Sequence, residues 1–402
     1  MTPAARVQAA IEVLERVRGG VPAEQALTNW ARGSRFAGSG DRAAVRDHVF
    51  DALRRRRSAA AMGGAGWDAT DAAEAPGRAM MLGLLRQGGI DPAAIFTGAG
   101  HAPAPLGDAE AAPPPEELPQ TVALDCPEWL APMLLADLGA AFGPVLGALR
   151  LRAPVFVRVN PLRADRDSAV AALGADGIVA RPHPLAPMAL ELVSGAPRLR
   201  QARAYAEGMV ELQDAASQAV VESLPLGDGM RVLDFCAGGG GKTLAMAARA
   251  RIALTAHDRD AGRMRDLPQR AARAGVRVRR APDARDLPSA AFDLVLADVP
   301  CSGSGAWRRQ VEAKWRLDAA GLAALSAAQE GVLAGASRHV APGGVLAYAT
   351  CSILSCENEA AVHGFAARSG WDVTFERRFD PREGGDGFYV ALLRRQGGAV
   401  NR

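Results

Sequence analysis

The chain has 402 residues, 49% hydrophobic and 23% charged, with 47 basic against 44 acidic residues and a formal net charge of +3. That length and apolar content exclude a disordered chain or a small disulfide-stapled scaffold, and they allow two or three domains with buried cores. Nearly all the positive charge is arginine, the only lysines being Lys242 and Lys314. Five cysteines, Cys126, Cys236, Cys301, Cys351 and Cys356, are thinly spread and include no CxxC pair. They predict a reducing compartment and no structural metal site. The first residues lack an apolar segment of signal-peptide type, and no run is expected to cross a membrane. A soluble cytoplasmic protein is expected, with monomer as the default oligomeric state.

Residues 4–57 read as helices, because Val7, Ala10, Ile11, Leu14 and Val17 recur at helical spacing, as do Ala44, Val45, Val49, Ala52 and Leu53. This stretch is basic, with eleven arginines against six acids, whereas 58–120 has two arginines against eight acids. The reading is a helical domain over 1–98 followed by a Pro/Ala-rich linker over 99–122. Pro127 to Leu149 predicts a helical pair broken near Gly143-Pro144, and Val155 to Val159 a strand, making 123–224 a small mixed α/β unit.

From Met230 apolar runs alternate with helical patterns, which predicts a doubly wound, Rossmann-like α/β domain over 225–398. Strands are expected at 231–235, 252–257, 276–280, 293–298, 345–350 and 388–393, and helices at 243–250, 260–274, 318–340 and 357–369. Pro342-Gly343-Gly344 is expected to stop the longest helix before the next strand. In such sheets ligands bind beyond the carboxyl ends of the strands. A second basic block, Arg263 to Arg280, has seven arginines and one acid, a candidate phosphate contact.

The first strand of that domain ends in Asp234-Phe235-Cys236-Ala237-Gly238-Gly239-Gly240-Gly241-Lys242-Thr243, a glycine turn that lets backbone approach a ligand closely. A P-loop would need glycine where Cys236 stands, so a phosphate cradle fails. The glycines alone permit a dinucleotide. Acids after the next strands, Asp258, Asp283 and Asp298, favour S-adenosylmethionine, since an acid after the second strand suits ribose hydroxyls and one after the third an adenine amino group.

Two cysteines fall at the ends of adjacent predicted strands: Cys301 in Asp298-Val299-Pro300-Cys301 and Cys351 in Thr350-Cys351-Ser352. C5 of a pyrimidine is too poor a nucleophile to take a methyl group unless something first adds at C6, and a thiolate can do so covalently. Asp298 is placed to hydrogen-bond the ring nitrogen during that addition.

VELQDAASQ (210–218), VLDFCAGGGGKT (232–243), FDLVLADVPCSGSG (292–305), the RRQVEAKW stretch ending at Trp315, YATCSILSCENE (348–359) and GDGFYVALLRR (385–395) together resemble the RsmB-type (Fmu/Sun) RNA cytosine-5 methyltransferases of the Nop2/Sun group. The likeness covers about residues 125–395. It implies Cys351 as nucleophile and Cys301 as the thiol that helps release product, with Asp298 and Lys314 shaping the cytosine site. It implies a methyl-donor site formed by Cys236, Ala237, Gly238, Gly239, Gly240, Gly241 and Lys242 with Asp258, Asp283 and Asp298. The second cysteine is what points to RNA rather than DNA. The family usually has Ala-Pro where this chain has Gly238-Gly239. DRAAVRDHVFDALRRR (41–56) resembles the family's helical NusB-like RNA-binding domain, and 151–224 its small RNA-recognition module, with Arg158, Asn160 and Arg163 as expected RNA contacts. The implied substrate is small-subunit ribosomal RNA and the implied product 5-methylcytosine; the alternative is a catalytically idle RNA-binding ribosome-assembly factor that keeps the fold.

Overall fold

The computed structural model describes residues 1–66 and 75–396. The chain forms two compact units, one of Met1–Arg152 with Trp307–Ala319, the other of Ala153–Ala306 with Ala320–Arg402.

The first unit is helical. Helices Pro3–Arg18, Ala23–Gly33, Ser39–Arg54, Arg56–Met62 and Gly77–Gln87 bury a shared core that contains Val7, Ile11, Leu14, Val45, Val49 and Leu53, the positions their helical spacing nominated. The linker expected over 99–122 is instead tied down. It carries short helices Asp108–Ala111 and Gln120–Ala123, Glu110 pairs with Arg78 at 2.6 Å, and Arg86 donates to the carbonyl of Ala112 at 2.9 Å. Composition missed this because the anchors lie on another helix.

Glu128–Leu149 has the length and apolarity of a membrane span, contrary to the sequence expectation that no run approaches one. Gly139, at φ +50°, breaks it into helices Ala131–Leu138 and Phe142–Leu149. Each is about 12 Å long, far short of a hydrocarbon core, and Leu134, Phe142, Val145, Leu146 and Leu149 are buried in protein. The first unit also holds Trp307–Ala319. There Trp315 Nε1 donates to Leu53 O at 2.7 Å, Arg54 Nε to Arg308 O at 2.9 Å, and the Ala23 amide to Glu312 at 3.2 Å.

The second unit contains two sheets. Strands β1 (Val155–Val159), β2 (Val179–Pro182), β3 (Ala189–Ser194) and β4 (Val210–Leu212) pair antiparallel in the order β2-β3-β1-β4. Strands β5 (Arg231–Asp234), β6 (Ala253–Ala256), β7 (Arg279–Arg280), β8 (Phe292–Asp298), β9 (Val340–Thr350), β10 (Trp371–Phe379) and β11 (Phe388–Arg395) form a seven-stranded sheet ordered β10-β11-β9-β8-β5-β6-β7. Its centre is parallel and its β10-β11-β9 side antiparallel. β10 was not anticipated, although Trp371, Val373, Phe375 and Phe379 alternate along it with Asp372, Thr374, Glu376 and Arg378. β9 begins at Val340, ahead of Pro342-Gly343-Gly344; a register shift between its pairings with Phe292 and Leu294 absorbs the turn that was expected to precede the strand. The helix expected over 260–274 splits into a 3₁₀ turn, Ala261–Met264, and the helix Leu267–Ala274 with Pro268 in its first turn.

Strand order reverses beside β5, so the carboxyl ends of β5 and β8 open the crevice where doubly wound sheets bind ligands.

Candidate active site

The glycine turn joins β5 to the helix Gly241–Arg249. Gly238 and Gly240 have φ of +51° and +84°, and a Cβ at Gly240 would lie 2.3 Å from Leu267 Cδ1, so that position needs glycine for both conformation and space. Asp258, buried at the end of β6, accepts from the Gly238 amide at 2.8 Å, from the Asp260 amide at 3.0 Å and from Arg263 Nη1 at 3.2 Å. Its carboxylate thus shapes the turn as well as facing a ligand.

Beyond these strand ends lies a cavity of about 890 Å³ lined by Cys236, Asp258, Asp283 and Pro300 among others. It falls within the size range of small-molecule sites. Hydrogen bonds from Arg285 hold the Asp283 carboxyl down to about 2, so it presents a carboxylate to the cavity mouth. Burial pushes the Cys236 thiol up, and it lines the cavity as a neutral group. Two carboxylates, a glycine turn and a cavity of this volume fit S-adenosylmethionine, whose ribose and adenine offer hydroxyl and amino donors.

Lys242 Nζ lies 2.7 Å from Asp298 Oδ2, and 4.9 Å from the centroid of the Phe388 ring. Burial alone would lower the lysine's pKa, but the charges of Asp298 and Cys351 outweigh it and raise the value. Below the turn, Asp234 is fully buried; burial pushes its carboxyl up to about 7, against a 2.6 Å hydrogen bond from Thr243 Oγ1.

The two cysteines meet as their strand positions required: Cys301 Sγ lies 3.4 Å from Cys351 Sγ. The hydrogen bond to Cys351, and then burial, raise the Cys301 pKa well above its ordinary value, so Cys301 keeps its proton. The Gly305 amide donates to Cys351 O at 3.0 Å, and Gly387 N to Gly305 O at 2.9 Å. A Cβ on Gly305 would come within 2.0 Å of Gly387 O, so this close approach of the two loops depends on glycine.

Lys314 was expected to help shape the cytosine site. It lies in the helical unit, where it is buried with its Nζ 4.7 Å from the Trp315 ring centroid and 5.8 Å from that of Trp307. Burial lowers its pKa to about 8, partly offset by Asp125 and Cys126. Arg158 and Asn160, expected as RNA contacts, are buried. Arg158 Nη1 donates to Gln213 Oε1 at 2.8 Å and to Gly241 O at 3.1 Å; Asn160 Nδ2 donates to Gly208 O at 3.0 Å and Ala274 O at 2.9 Å. Both join the four-stranded sheet to the seven-stranded domain. Of the three, Arg163 alone faces outward. Sequence reasoning also passed over Glu357, a buried acid near Cys351. The available signal was an acid shortly after Thr-Cys, and a serine directly after each cysteine.

The family model described as 16S rRNA methyltransferase RsmB/F matches residues 221–394, and one described as the RsmF/B-like ferredoxin-like domain matches 126–197. Ribosomal RNA small subunit methyltransferase B of Xylella fastidiosa (strain 9a5c) is 37% identical over 286 residues, spanning 66% of this chain and 68% of that protein. The protein of the same name from Erwinia tasmaniensis is 32% identical over 285 residues, spanning 67% and 66%. Among solved structures, PH0851 superposes with a TM-score of 0.75 at 23% identity, covering 98% of this chain and 99% of that one. NSun6 from Pyrococcus horikoshii gives 0.60 at 20% identity, covering 67% and 98%; at these identities the two share the fold. The methyltransferase core, the ferredoxin-like sheet and the identity over 68% of the Xylella relative agree, and the chain belongs to the RsmB/F family of 16S rRNA methyltransferases.

Proposed function

We propose that this protein methylates C5 of a cytosine in 16S ribosomal RNA through a covalent Cys351 adduct, with S-adenosylmethionine as donor. The observation that carries the reading is the 3.4 Å approach of Cys301 and Cys351 beside the Lys242–Asp298 pair.

In this reading a flipped or single-stranded cytosine enters the crevice. Cys351 Sγ, as thiolate, forms a bond to C6, and the electrons of the C5=C6 bond make C5 nucleophilic. As charge moves to N3 that nitrogen takes a proton from solvent, and its N–H then donates to the Asp298 carboxylate held by Lys242. The glycine turn, Asp258 and Asp283 would hold S-adenosylmethionine, which when bound would supply the methyl group to C5 and leave as S-adenosylhomocysteine. Transfer of the C5 proton to a solvent water re-forms C5=C6 and expels Cys351 as a thiolate. The Cys301 S–H, 3.4 Å from that sulfur, would donate to the leaving thiolate and stabilise it.

The test separates the thiols. Cys351→Ala is expected to abolish methyl transfer, and Cys301→Ala to accumulate a denaturant-resistant protein–RNA adduct. The reverse pattern, with adduct lost only in Cys301→Ala, would interchange the roles. Bisulfite sequencing of RNA from a strain lacking the protein should show one lost 5-methylcytosine in 16S RNA; no loss would overturn the proposal.

A further inference from the structure

The Glu357 carboxylate is completely buried in the turn between β9 and the helix Glu359–Ser369. Its Oε1 accepts from the Ser302 amide at 2.8 Å and from Gln329 Nε2 at 3.0 Å. Its Oε2 accepts from Ser302 Oγ and Ser352 Oγ, each at 2.5 Å. Ser302 follows Cys301 in the chain and Ser352 follows Cys351, so one carboxylate holds the residue next to each thiol. Gln329 Nε2 extends the arrangement to the carbonyl of Pro300 at 3.0 Å, on the other side of Cys301. Ser304 Oγ, 2.9 Å from Ser352 Oγ, ties the two loops a second time.

Burying a carboxylate costs several kcal/mol unless strong hydrogen bonds compensate. The donors of these four contacts are neutral. An amide has a single acceptor oxygen, so four donors converging on both oxygens call for a carboxylate, and its charge lies beside the pair of sulfurs that these serines flank. A fixed negative charge disfavours a second one nearby, which keeps the proton on the closer thiol. The titratable groups that face Cys301 are Cys351, just after β9, Tyr348 on β9, and Glu357, with Cys351 and Glu357 raising its pKa.

We propose that Glu357 is a positioning residue for the reaction, setting the spacing of Cys301 and Cys351 and keeping Cys301 protonated for the step in which the C6–S bond breaks. This rests on the proposed cytosine-C5 chemistry.

The test compares wild type with Glu357→Gln, which keeps the side-chain volume and loses the charge. Turnover should fall at least ~10-fold while the KM for RNA and the Kd for S-adenosylmethionine stay within about 2-fold. The adduct with RNA carrying 5-fluorocytidine should still form, and the adduct with ordinary RNA should persist. Cys301, read by mass spectrometry of iodoacetamide-treated protein, should be alkylated faster at pH 8, a change that a purely structural role would not produce. Should Glu357→Gln not fold, Ser352→Ala removes one donor and leaves the carboxylate in place; release should then slow with Cys301 alkylation unchanged. Wild-type turnover and alkylation in Glu357→Gln would overturn the inference. Absence of any 5-fluorocytidine adduct in the wild type would instead overturn the chemistry on which it rests.

Discussion

The Lys242 ammonium and the Asp298 carboxylate form a 2.7 Å ion pair that joins the helix after the glycine turn to the carboxyl end of β8. The lysine side chain is largely buried against Phe388, and its charge also senses Cys351. One cation thus serves the acid expected at the cytosine ring and the sulfur expected to attack it.

Lys242→Met should lower kcat/KM for RNA by about 100-fold or more, since it leaves Asp298 without its counter-charge. Lys242→Arg keeps the charge, but a planar fork cannot occupy the space of a compact ammonium between Asp298 and Phe388, so most of the activity should still be lost. Methyl transfer measured at saturating donor checks both, and wild-type rates in Lys242→Arg would show that charge alone suffices.

Arg158→Met should weaken S-adenosylmethionine binding about 10-fold, measured by calorimetry without RNA. The guanidinium donates to the carbonyl of Gly241, at the start of the helix that follows the glycine turn, and burial lowers its pKa to about 10. Removing it frees four consecutive glycines of one restraint. If RNA affinity fell and donor affinity did not, the expectation that Arg158 contacts RNA would return.

Asp234→Asn should stabilise the second unit at pH 8 by on the order of 3 kcal/mol. The carboxyl ionises near 3.8 when unfolded and at about 7 when folded. Between those values the native state holds a proton that the unfolded state has lost, so stability falls as pH rises from about 4 to 7 and stays low above. Asparagine can still accept from Thr243 Oγ1 and removes this slope. Denaturant melts of both proteins across pH 4–8 give the comparison.

Lys314→Met should remove a pH dependence of opposite sign. The lysine's pKa is about 8 when folded against 10.5 when unfolded, so stability is greatest above pH 10.5 and is lost as pH falls to about 8. Below pH 8 the substitution should stabilise the helical unit by roughly 3 kcal/mol. Equal melts at pH 7 would mean that the two tryptophan rings and Asp125 compensate fully for burial of the ammonium.

Much of the fold was legible in local pattern. The heptads of the first helices, the parallel strands from 231 onward and the glycine turn all declare themselves within windows of about ten residues, because periodicity and turn chemistry act at that range. β10 was passed over although its alternation of Trp371, Val373, Phe375 and Phe379 with polar residues was equally local. The packing of 99–122 was not legible in this way, since it is held by Arg78 on Glu110 and Arg86 on Ala112 O, both from another helix.

By itself the sequence determined the Rossmann-like domain, the acids at its strand ends and the two cysteines at adjacent strand ends. Each is an alternation, a spacing or a motif along the chain. Only the tertiary structure decided which groups are buried and which charges pair. It put 3.4 Å between Cys301 and Cys351, set Glu357 between their serines, turned Arg158 inward and enclosed Lys314 among helices. Burial and charge pairing depend on partners from distant parts of the chain, and no local window contains both members.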